Sequence, residues 1–364
     1  MKKKLLLLFL VSTFTFCLSS CGEIVSYKDH LDDYVLELDY HDGFNILQLT
    51  DLHWSALTDH ERNINYLNAL IEQVKKDKGN IDLIELTGDQ TMLGSKEDLI
   101  DLLKTINSYN IPFAVVWGNH DRESRYSPRY VIDQYLSNSN CLYKEVENDD
   151  VHGSSNYVIN LKKDGVTKWQ IANLDSGADY CESVFSFDFT FDYIRESQVA
   201  WFEEEHNLIG NNVPVIAYYH IAQKEFENAW SEYNNYQLSA DVSKQKYYKL
   251  EKFDSSNAKG SEEPVFFNKA HDFNIKGIFV GHCHNNDWTC NYKGVTIGCG
   301  VKTGKELYYA HINEEQAKTY GISEKFDLIG ASLVTLHDDE TFDLSHLYFN
   351  EESSDTYKAI WLEY

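Results

Sequence analysis

Five short motifs constrain the fold of this 364-residue chain more than any other feature, because each one follows a predicted buried strand. They are Asp51-Leu52-His53, Gly88-Asp89, Gly118-Asn119-His120-Asp121, His220 and Gly281-His282-Cys283-His284. Open α/β sheets bind their ligands at the carboxyl ends of the strands. The motifs therefore predict an α/β chain in which these side chains meet at one edge of a sheet.

Short apolar runs alternate with segments of helical periodicity from Phe44 onward, which is typical of an α/β fold. An apolar stripe predicts a helix within Asp59–Asp77, and capping residues predict helices that begin near Ser95 and Ser127. A fourth helix is predicted over Ser197–Ile209. The predicted strands are Phe44–Thr50, Ile81–Thr87, Phe113–Trp117, Trp169–Leu174, Val213–Tyr219, Ile275–Val280, Val295–Gly298, Ala331–Leu336 and Tyr357–Leu362.

The side chains of the five motifs suit metal ions. Asp51 and His53 are two residues apart, so on extended chain they leave the same face and can clamp one cation. His282 and His284 repeat this spacing, and the two oxygens of Asp89 suit a carboxylate that bridges two ions. Two metal ions that share one carboxylate use all seven candidate ligands, which are Asp51, His53, Asp89, Asn119, His220, His282 and His284.

The order of these motifs resembles that of the calcineurin-like metallophosphoesterase superfamily over the span from Asp51 to His284. Two further stretches, residues 173–177 and 218–221, resemble a branch of proteins similar to purple acid phosphatases. The resemblance implies a four-layered αββα sandwich, in which two mixed β-sheets pack face to face with helices outside. True purple acid phosphatases have a tyrosine three residues after the bridging aspartate. This chain has Met92 there, so no purple colour is expected.

The resemblance also implies roles for residues of this chain. His120 would act at the leaving-group oxygen as a general acid or as a stabiliser of charge, with Asp121 orienting it. Two divalent or trivalent ions would activate the attacking water, and Mn, Fe and Zn are all candidates. The implied ligand sets are Asp51, His53, Asp89 and His284 for the first metal, and Asp89, Asn119, His220 and His282 for the second.

The formal net charge of −26 argues against nucleic acid as a structural partner. So acidic a chain repels a phosphorylated small molecule unless local cations, such as bound metal ions, make the electrostatic potential at the site positive. Arg122 is the best candidate for a contact with substrate phosphate, although a salt-bridged helix start explains it equally well. Residues 222–263 are a polar insertion, either a substrate loop or a surface excursion without a role.

Residues 1–20 are predicted to be a lipoprotein signal peptide. Three lysines precede an apolar stretch too short for a typical membrane-spanning helix, and the tetrapeptide that ends at Cys21 resembles a bacterial lipobox. We therefore expect a lipid anchor on Cys21, a tether over residues 21–43 with a first strand near Tyr34–Leu38, and then one domain over residues 44–364. The protein would be extracytoplasmic and membrane-anchored. An ordinary cleaved signal with an incidental cysteine is the alternative.

Three later cysteines lie near the last motif. Cys290 and Cys299 flank a predicted hairpin turn at residues 291–294. In an oxidising compartment they either meet as a cross-strand disulfide or remain two unpaired thiols. Cys283, between two candidate ligands, is expected to be buried packing rather than a further ligand.

The sequence thus predicts a binuclear-metal phosphoesterase that hydrolyses phosphate monoesters or diesters with a metal-activated water. Within enzymes, the alternative is a phosphodiesterase or pyrophosphatase that acts on nucleotides or lipid phosphates. From a different class, a surface lipoprotein that binds metal or ligand without turnover is the other alternative. Substrate identity and oligomeric state are left open by the sequence.

Overall fold

The computed structural model describes residues 36–124, 126–146, 150–180, 190–210, 212–234, 255–353 and 356–363. The expected signal peptide, Cys21 and most of the expected tether lie outside the described residues. Within the described part of the chain, no helix is both long and apolar enough to cross a membrane.

The described residues form short strands and helices in an alternating order. The strands begin with β1 (Leu36–Asp39), β2 (Phe44–Leu49), β3 (Leu83–Thr87), β4 (Phe113–Val116), β5 (Cys141–Leu142), β6 (Tyr157–Lys163), β7 (Val166–Asn173), β8 (Asp179–Tyr180) and β9 (Thr190–Phe191). They continue with β10 (Val215–Tyr218), β11 (Ile275–Val280), β12 (Thr289–Tyr292), β13 (Val295–Cys299), β14 (His311–Ile312), β15 (Phe326–Asp327), β16 (Gly330–Leu336), β17 (Phe342–Ser353) and β18 (Thr356–Glu363). The helices are α1 (His60–Lys78), α2 (Lys96–Ser108), α3 (Pro128–Leu136), α4 (Glu196–Ile209), α5 (Lys224–Asn234), α6 (Val265–Asn268) and α7 (Glu314–Ala317), with 3₁₀ turns at His120–Arg122 and Lys318–Tyr320.

Most strands belong to two large sheets of mixed direction. The first sheet has the order β18-β17-β16-β2-β3-β4-β5, in which β2 to β5 are parallel and β16 to β18 are antiparallel. The second sheet has the order β1-β6-β7-β10-β11-β13-β12, and its central strands β7, β10, β11 and β13 are parallel. The parallel strands form one half of the first sheet and the centre of the second, and their carboxyl ends supply the motifs.

Strand β10 shows how the layers pack, because its side chains alternate between two cores. Ile216 and Tyr218 lie in the cluster that the second sheet shares with the first sheet and with helices α1, α2 and α3. Val215 and Ala217 face the other way, into a cluster completed by helices α4, α5 and α6. The layers are thus helix, sheet, sheet and helix, which confirms the predicted αββα class.

Two predicted helix starts are confirmed in detail. The Ser95 hydroxyl oxygen accepts the N–H of Asp98 at 3.2 Å, and the Asp98 carboxylate accepts the N–H of Ser95 at 2.6 Å. This reciprocal pair is a capping box, which satisfies two donors that the helix leaves unpaired. Ser127 caps α3, and Pro128 occupies its first turn, where a missing N–H costs nothing.

The tether ends earlier than the predicted residue 43. Strand β1 pairs in parallel with β6, with Leu36 opposite Ile159, and Leu36 is buried in the inter-sheet core. The domain therefore begins with an edge strand of the second sheet.

Strands β6 and β17 are absent from the predicted set, because polar residues interrupt their apolar positions and weaken the pattern.

The insertion over residues 222–263 begins as part of the domain. Helix α5 buries Phe226 and Ala229 in the outer core of the second sheet. Residues 235–254 lie outside the described residues. The first third of the insertion is therefore packed structure rather than a loop.

Cys290 and Cys299 do not form the cross-strand disulfide that was one of the two alternatives. In the β12–β13 hairpin Cys290 lies opposite Ile297, and the N–H of Cys299 donates to the carbonyl of Trp288. The two cysteines therefore do not face each other across the ladder. Both are buried in the outer core of the second sheet, and Cys283 lies in the same core cluster.

Candidate metal centre

The candidate ligands converge at the carboxyl ends of strands from both sheets. Asp51, Asp89 and Asn119 follow β2, β3 and β4 of the first sheet. His220 and His282 follow β10 and β11 of the second sheet. Because the sheets pack face to face, their parallel strands end at a shared edge, and the five motifs meet there.

The first group of ligand atoms consists of Asp51, His53 and His284. The Nε2 atoms of His53 and His284 lie 3.0 Å apart, although 231 residues separate them in the chain. Asp51 Oδ1 lies 3.3 Å from His284 Nε2 and 3.8 Å from His53 Nε2. Three potential ligand atoms thus surround one point.

The second group consists of Asp89, His220 and His282. Asp89 Oδ2 lies 3.3 Å from His220 Nε2, and the rings of His220 and His282 are 5.2 Å apart. The same oxygen of Asp89 lies 3.9 Å from His53 Nε2, which belongs to the first group. Asp89 therefore stands between the two groups, where the sequence predicted a bridging carboxylate.

Two buried polar atoms test whether the site suits metal ions. Asn119 Oδ1 and His282 Nε2 are buried and make no hydrogen bond. Such atoms cost free energy when they have no partner. Amide oxygen, carboxylate oxygen and imidazole nitrogen are all metal ligands, so this donor set fits a pair of transition-metal cations.

Left-handed backbone, rather than extended backbone, aims the ligands. The φ angles are 55° at Asp51, 52° at His53, 54° at Asp89 and 69° at His282. The expectation that Asp51 and His53 share a face by strand alternation is therefore wrong, since β2 ends at Leu49. Left-handed backbone is costly for residues with a side chain, and it clusters at functional sites.

Two glycines of the motifs make room for ligand side chains. A Cβ atom at Gly88, where φ is 88°, would overlap the ring of His220. A Cβ atom at Gly118 would overlap the carboxylate and backbone of Asp89. Gly88 therefore allows strand ends of the two sheets to approach closely, and Gly118 does the same for two neighbouring strands of the first sheet. Their contacts are thus with ligand side chains.

The charges of the ligands are set by burial and by one another. Burial alone would raise the pKa values of Asp51 and Asp89, but nearby histidines hold both pKa values well below the usual range. Burial and the charge of His220 lower the pKa of His282 to about 3, so its imidazole is neutral. Burial opposes charge on His220, yet Asp89 raises its pKa to about 10. Metal binding at His220 would therefore release a proton.

Further contacts orient the ligands. The ring nitrogen Nδ1 of His220 lies 2.9 Å from the carbonyl oxygen of Thr87, which leaves Nε2 directed at the site. The Thr50 hydroxyl donates to Asp51 Oδ2 at 2.8 Å. The buried Lys302 donates from Nζ to the main-chain oxygen of Asp51 at 2.7 Å. Nothing in the sequence distinguishes Lys302 from a surface lysine, so it was not predicted.

His120 has a different partner from the predicted one. The Asp121 carboxylate accepts the N–H groups of Thr91 at 3.0 Å and Gly118 at 2.9 Å, so it braces two motif loops and does not orient His120. Glu123 Oε2 lies 2.9 Å from His120 Nδ1 instead. The three-residue spacing on a 3₁₀ turn brings Glu123 onto the same face, a signal that the sequence did contain.

Arg122 is held by a buried carboxylate. Its guanidinium pairs with Asp175, and it also lies over the ring of Trp117 at 5.2 Å from the ring centroid. Asp175 accepts backbone N–H groups from Ser154 at 2.6 Å and Gly177 at 2.9 Å. Burial alone would raise the pKa of Asp175, but the charge of Arg122 helps to hold this pKa below its usual value. The ion pair fixes the position of a guanidinium that is 27% exposed at the side-chain level.

Two mixed sheets in an αββα sandwich, with two ligand groups joined by one aspartate at the strand ends, define a metal-dependent phosphoesterase architecture. The family model described as calcineurin-like phosphoesterase matches residues 44–286. The chain therefore belongs to the calcineurin-like phosphoesterase family. Its members bind two metal ions, and this chain presents candidate ligands for both.

Similar proteins include phosphatase-like chains from eukaryotes. "Probable inactive purple acid phosphatase 29" of Arabidopsis thaliana is 28% identical over a 306-residue alignment that covers 73% of this chain and 73% of that protein. "Phosphatase DCR2" of Saccharomyces cerevisiae is 26% identical over 151 residues, 40% of this chain and 26% of that protein. A dimetal phosphatase from Danio rerio shares the fold, with a TM-score of 0.53, 10% identity, and coverage of 89% of this chain and all of that one.

Proposed function

We propose that this protein hydrolyses phosphate monoesters or diesters with the help of two metal ions. The observation that carries the proposal is the convergence of six of the seven predicted ligands on two groups between which Asp89 stands. The reaction balances with water alone, since water gives its oxygen to phosphorus and a proton to the departing alcohol as the ester bond breaks.

Each ion would have its own ligands, with Asp89 shared between them. When bound, the two ions supply Lewis-acid chemistry that activates water near neutral pH and offsets the charge of the phosphate. Mn, Fe and Zn all suit a donor set of imidazoles, carboxylates and an amide oxygen. The ligands would be Asp51, His53 and His284 for one ion, and Asn119, His220 and His282 for the other.

His120 would hold the proton for the departing oxygen. Its Nε2 lies 3.9 Å from Asp89 Oδ2, so its ring borders the proposed position of the metals. Burial opposes charge on the imidazole, but Asp89 and Glu123 raise the pKa of His120 to about 9. The ring therefore carries its proton at neutral pH, as a general acid requires.

Arg122 would bind oxygens of the substrate phosphate. A planar guanidinium suits phosphate, because its N–H groups match two oxygens at once. Asp175 holds the guanidinium beside the motif that carries His120. Fixing the cation before substrate arrives reduces the entropy lost on binding.

Two rival functions are distinguished by one assay. Phosphodiesters are served by the same ligands as monoesters, and the Arabidopsis relative with "inactive" in its name favours a binder without turnover as the second candidate. The Mn²⁺-loaded protein should be tested on p-nitrophenyl phosphate and bis-p-nitrophenyl phosphate between pH 5 and pH 9. The faster substrate assigns the ester class. If the protein binds metal but hydrolyses neither substrate, the result would contradict the proposal and favour the binder.

We also propose that the chain is anchored outside the cytoplasmic membrane through lipid on Cys21. The support is the sequence of residues 1–21, in which lysines, an apolar stretch and a lipobox-like tetrapeptide follow one another. Cys21→Ser should move the protein from the membrane fraction to the soluble extracytoplasmic fraction, whereas Cys17→Ser should leave it in place. Membrane association of Cys21→Ser would contradict the anchor.

A further inference from the structure

A buried lysine contacts the first group of ligands. Lys302 is only 2% exposed, and its Nζ donates to the main-chain oxygen of Asp51 at 2.7 Å. Among the described residues, no carboxylate forms an ion pair with this amino group. Lysine is rarely buried without a paired charge, because its removal from water costs free energy. Lys302 is therefore a costly choice for stability alone.

The carbonyl group that Lys302 binds belongs to a left-handed turn. The φ angles are 55° at Asp51 and 52° at His53, and such backbone persists only where other contacts hold it. The N–H of Asp51 donates to the carbonyl of Gly88 at 3.1 Å, and the N–H of His53 donates to that of Asp89 at 2.9 Å. The loop after β3 thus holds the two N–H groups of the turn, whereas Lys302 holds its first carbonyl.

The backbone around Lys302 packs against the same turn. Thr50 and Lys302 form an isolated bridge, and the N–H of Thr303 donates to the carbonyl of Thr50 at 2.8 Å. The Thr303 hydroxyl oxygen accepts the N–H of Thr50 at 3.1 Å. A Cβ atom at Gly304 would lie 2.4 Å from the main-chain oxygen of Asp51, so only glycine allows this approach. The position from which the lysine side chain starts is therefore fixed.

The hydrogen bond from Lys302 does not depend on the charge of the amino group. Burial lowers the pKa of Lys302 to about 8, although Asp51 and Asp89 oppose the change. The neutral amine would be favoured further beside bound metal ions, because like charges repel. Both forms carry N–H groups, so donation to Asp51 is retained in either case.

We propose that Lys302 is a positioning residue for the first metal ion, the one that Asp51, His53 and His284 would hold. Its hydrogen bond would keep the left-handed turn in the conformation that presents Asp51 and His53. The inference rests on the two-ion centre of the proposed function. Because the ligands of the second group follow other strands, namely β3, β10 and β11, loss of Lys302 should affect the second ion less.

The test titrates full-length, chelator-stripped protein with Mn²⁺ and follows binding by electron paramagnetic resonance. This method distinguishes a coupled pair of Mn²⁺ ions from a single ion and does not depend on turnover. Wild type should bind two ions and give the spectrum of a coupled pair. Lys302→Met should bind one of the two ions about 10-fold to 100-fold more weakly, which is typical when a residue that orients a ligand is lost. The spectrum of a single ion should therefore persist to higher Mn²⁺ concentrations.

Lys305→Met is the matched control, because Lys305 is a second buried lysine of the same segment with different contacts. Its side chain is 6% exposed, pairs with Glu351 and lies over the rings of Tyr66 and Tyr357. Lys305→Met should keep both ions and lower the unfolding temperature of the metal-free protein, because it breaks a buried ion pair. Lys302→Met should do the reverse, since the end of amine desolvation offsets the lost hydrogen bond.

Two double variants identify the ion that Lys302 serves. His284→Ala weakens the first ion and Asn119→Ala the second, if each residue is a ligand as proposed. Lys302→Met combined with Asn119→Ala should weaken both ions, whereas Lys302→Met combined with His284→Ala should weaken only one. The opposite pattern would overturn the assignment of Lys302 to the first ion.

The outcomes separate this inference from the proposed function. Two ions bound with wild-type affinity in Lys302→Met would overturn the role of Lys302 and leave the phosphoesterase proposal standing. Selective weakening of one ion, in a protein whose wild type hydrolyses neither phosphate ester, would support Lys302 and overturn turnover. Equal weakening of both ions with a lowered unfolding temperature would show a structural role alone and overturn positioning. Wild-type protein that binds no Mn²⁺ would overturn both.

Discussion

The metal ligands and the polar end of the site, which carries His120 and Arg122, are built in different ways. The ligands Asp51, Asp89 and His220 are almost fully buried at strand ends, and glycines let them pack against one another. His120 and Arg122 are each 27% exposed and are held by carboxylates, Glu123 and Asp175, that belong to no ligand group. The proposed metal ligands are thus held by the strand ends, whereas the residues proposed to contact substrate are held by a loop and its ion pairs.

The largest expected effect comes from breaking the buried side of this comparison. Asp89→Asn removes the carboxylate that stands between the two ligand groups, so metal binding and turnover should fall together. Loss of several kcal/mol of charge stabilisation corresponds to about 1,000-fold or more in kcat/KM. The measurements are metal content and the rate with p-nitrophenyl phosphate. Asp133→Asn, at an exposed carboxylate on α3, is the control and should match wild type. Full activity in Asp89→Asn would refute the bridge.

His120→Ala acts on the exposed side and should spare the metals. Loss of a general acid costs about 100-fold to 10,000-fold when the leaving group is poor. The loss should be much smaller with p-nitrophenyl phosphate than with phenyl phosphate, because p-nitrophenolate departs without a proton. The control is His311→Ala, at a histidine that is exposed and distant in sequence from the motifs. An equal loss for both substrates would show that His120 is not the acid.

Arg122→Gln tests whether the ion pair serves substrate or only the fold. Removal of a charge-assisted hydrogen bond worth ~1.5 kcal/mol or more should raise KM about tenfold or more. It should also leave Asp175 buried without its cation, which destabilises the protein by about 3 kcal/mol in urea unfolding. Arg129→Gln removes an exposed arginine that pairs with Asp133 and should change neither value much. Unchanged KM with lowered stability would reduce Arg122 to a structural role.

The smallest expected effect is a change in pH dependence. Glu123 raises the pKa of His120, and the protonated ring is the active form. Glu123→Gln should therefore lower this pKa. The alkaline limb of the pH–rate profile should then move to lower pH by about one pH unit. The pH profile of kcat/KM with phenyl phosphate measures it. An unmoved alkaline limb would show that another group controls it.

The ligand residues could be predicted from the sequence, but their geometry could not. Motif order and strand placement pointed to Asp51, Asp89 and His220 because parallel strands must end at one edge. The left-handed backbone at Asp51 and His53 has no sequence marker, because aspartate and histidine adopt it more often than most residues but still only occasionally. It follows from how the chain leaves β2 and approaches the loop of Lys302, a contact between distant parts of the chain.

The supports of the polar end were harder to predict. Asp175 meets Arg122 across 53 residues, and nothing in the local sequence of either indicates the pair. Asp121 follows His120 directly, yet its carboxylate turns to backbone N–H groups of neighbouring loops. A first strand near Tyr34–Leu38 was predicted, but its place at the edge of the second sheet was not, because that place is set by pairing with the distant β6. Each of these depends on tertiary contacts.

Metal content per chain tests the central claim most directly. Purified wild-type protein is stripped with chelator, reloaded with Mn²⁺, Fe²⁺ or Zn²⁺, dialysed and analysed by mass spectrometry for metals. We expect two ions per chain for at least one of these metals, and fewer in Asp89→Asn than in Asp133→Asn. Wild-type protein that retains none of the three metals, or an Asp89→Asn protein that retains as much as wild type, would contradict the account.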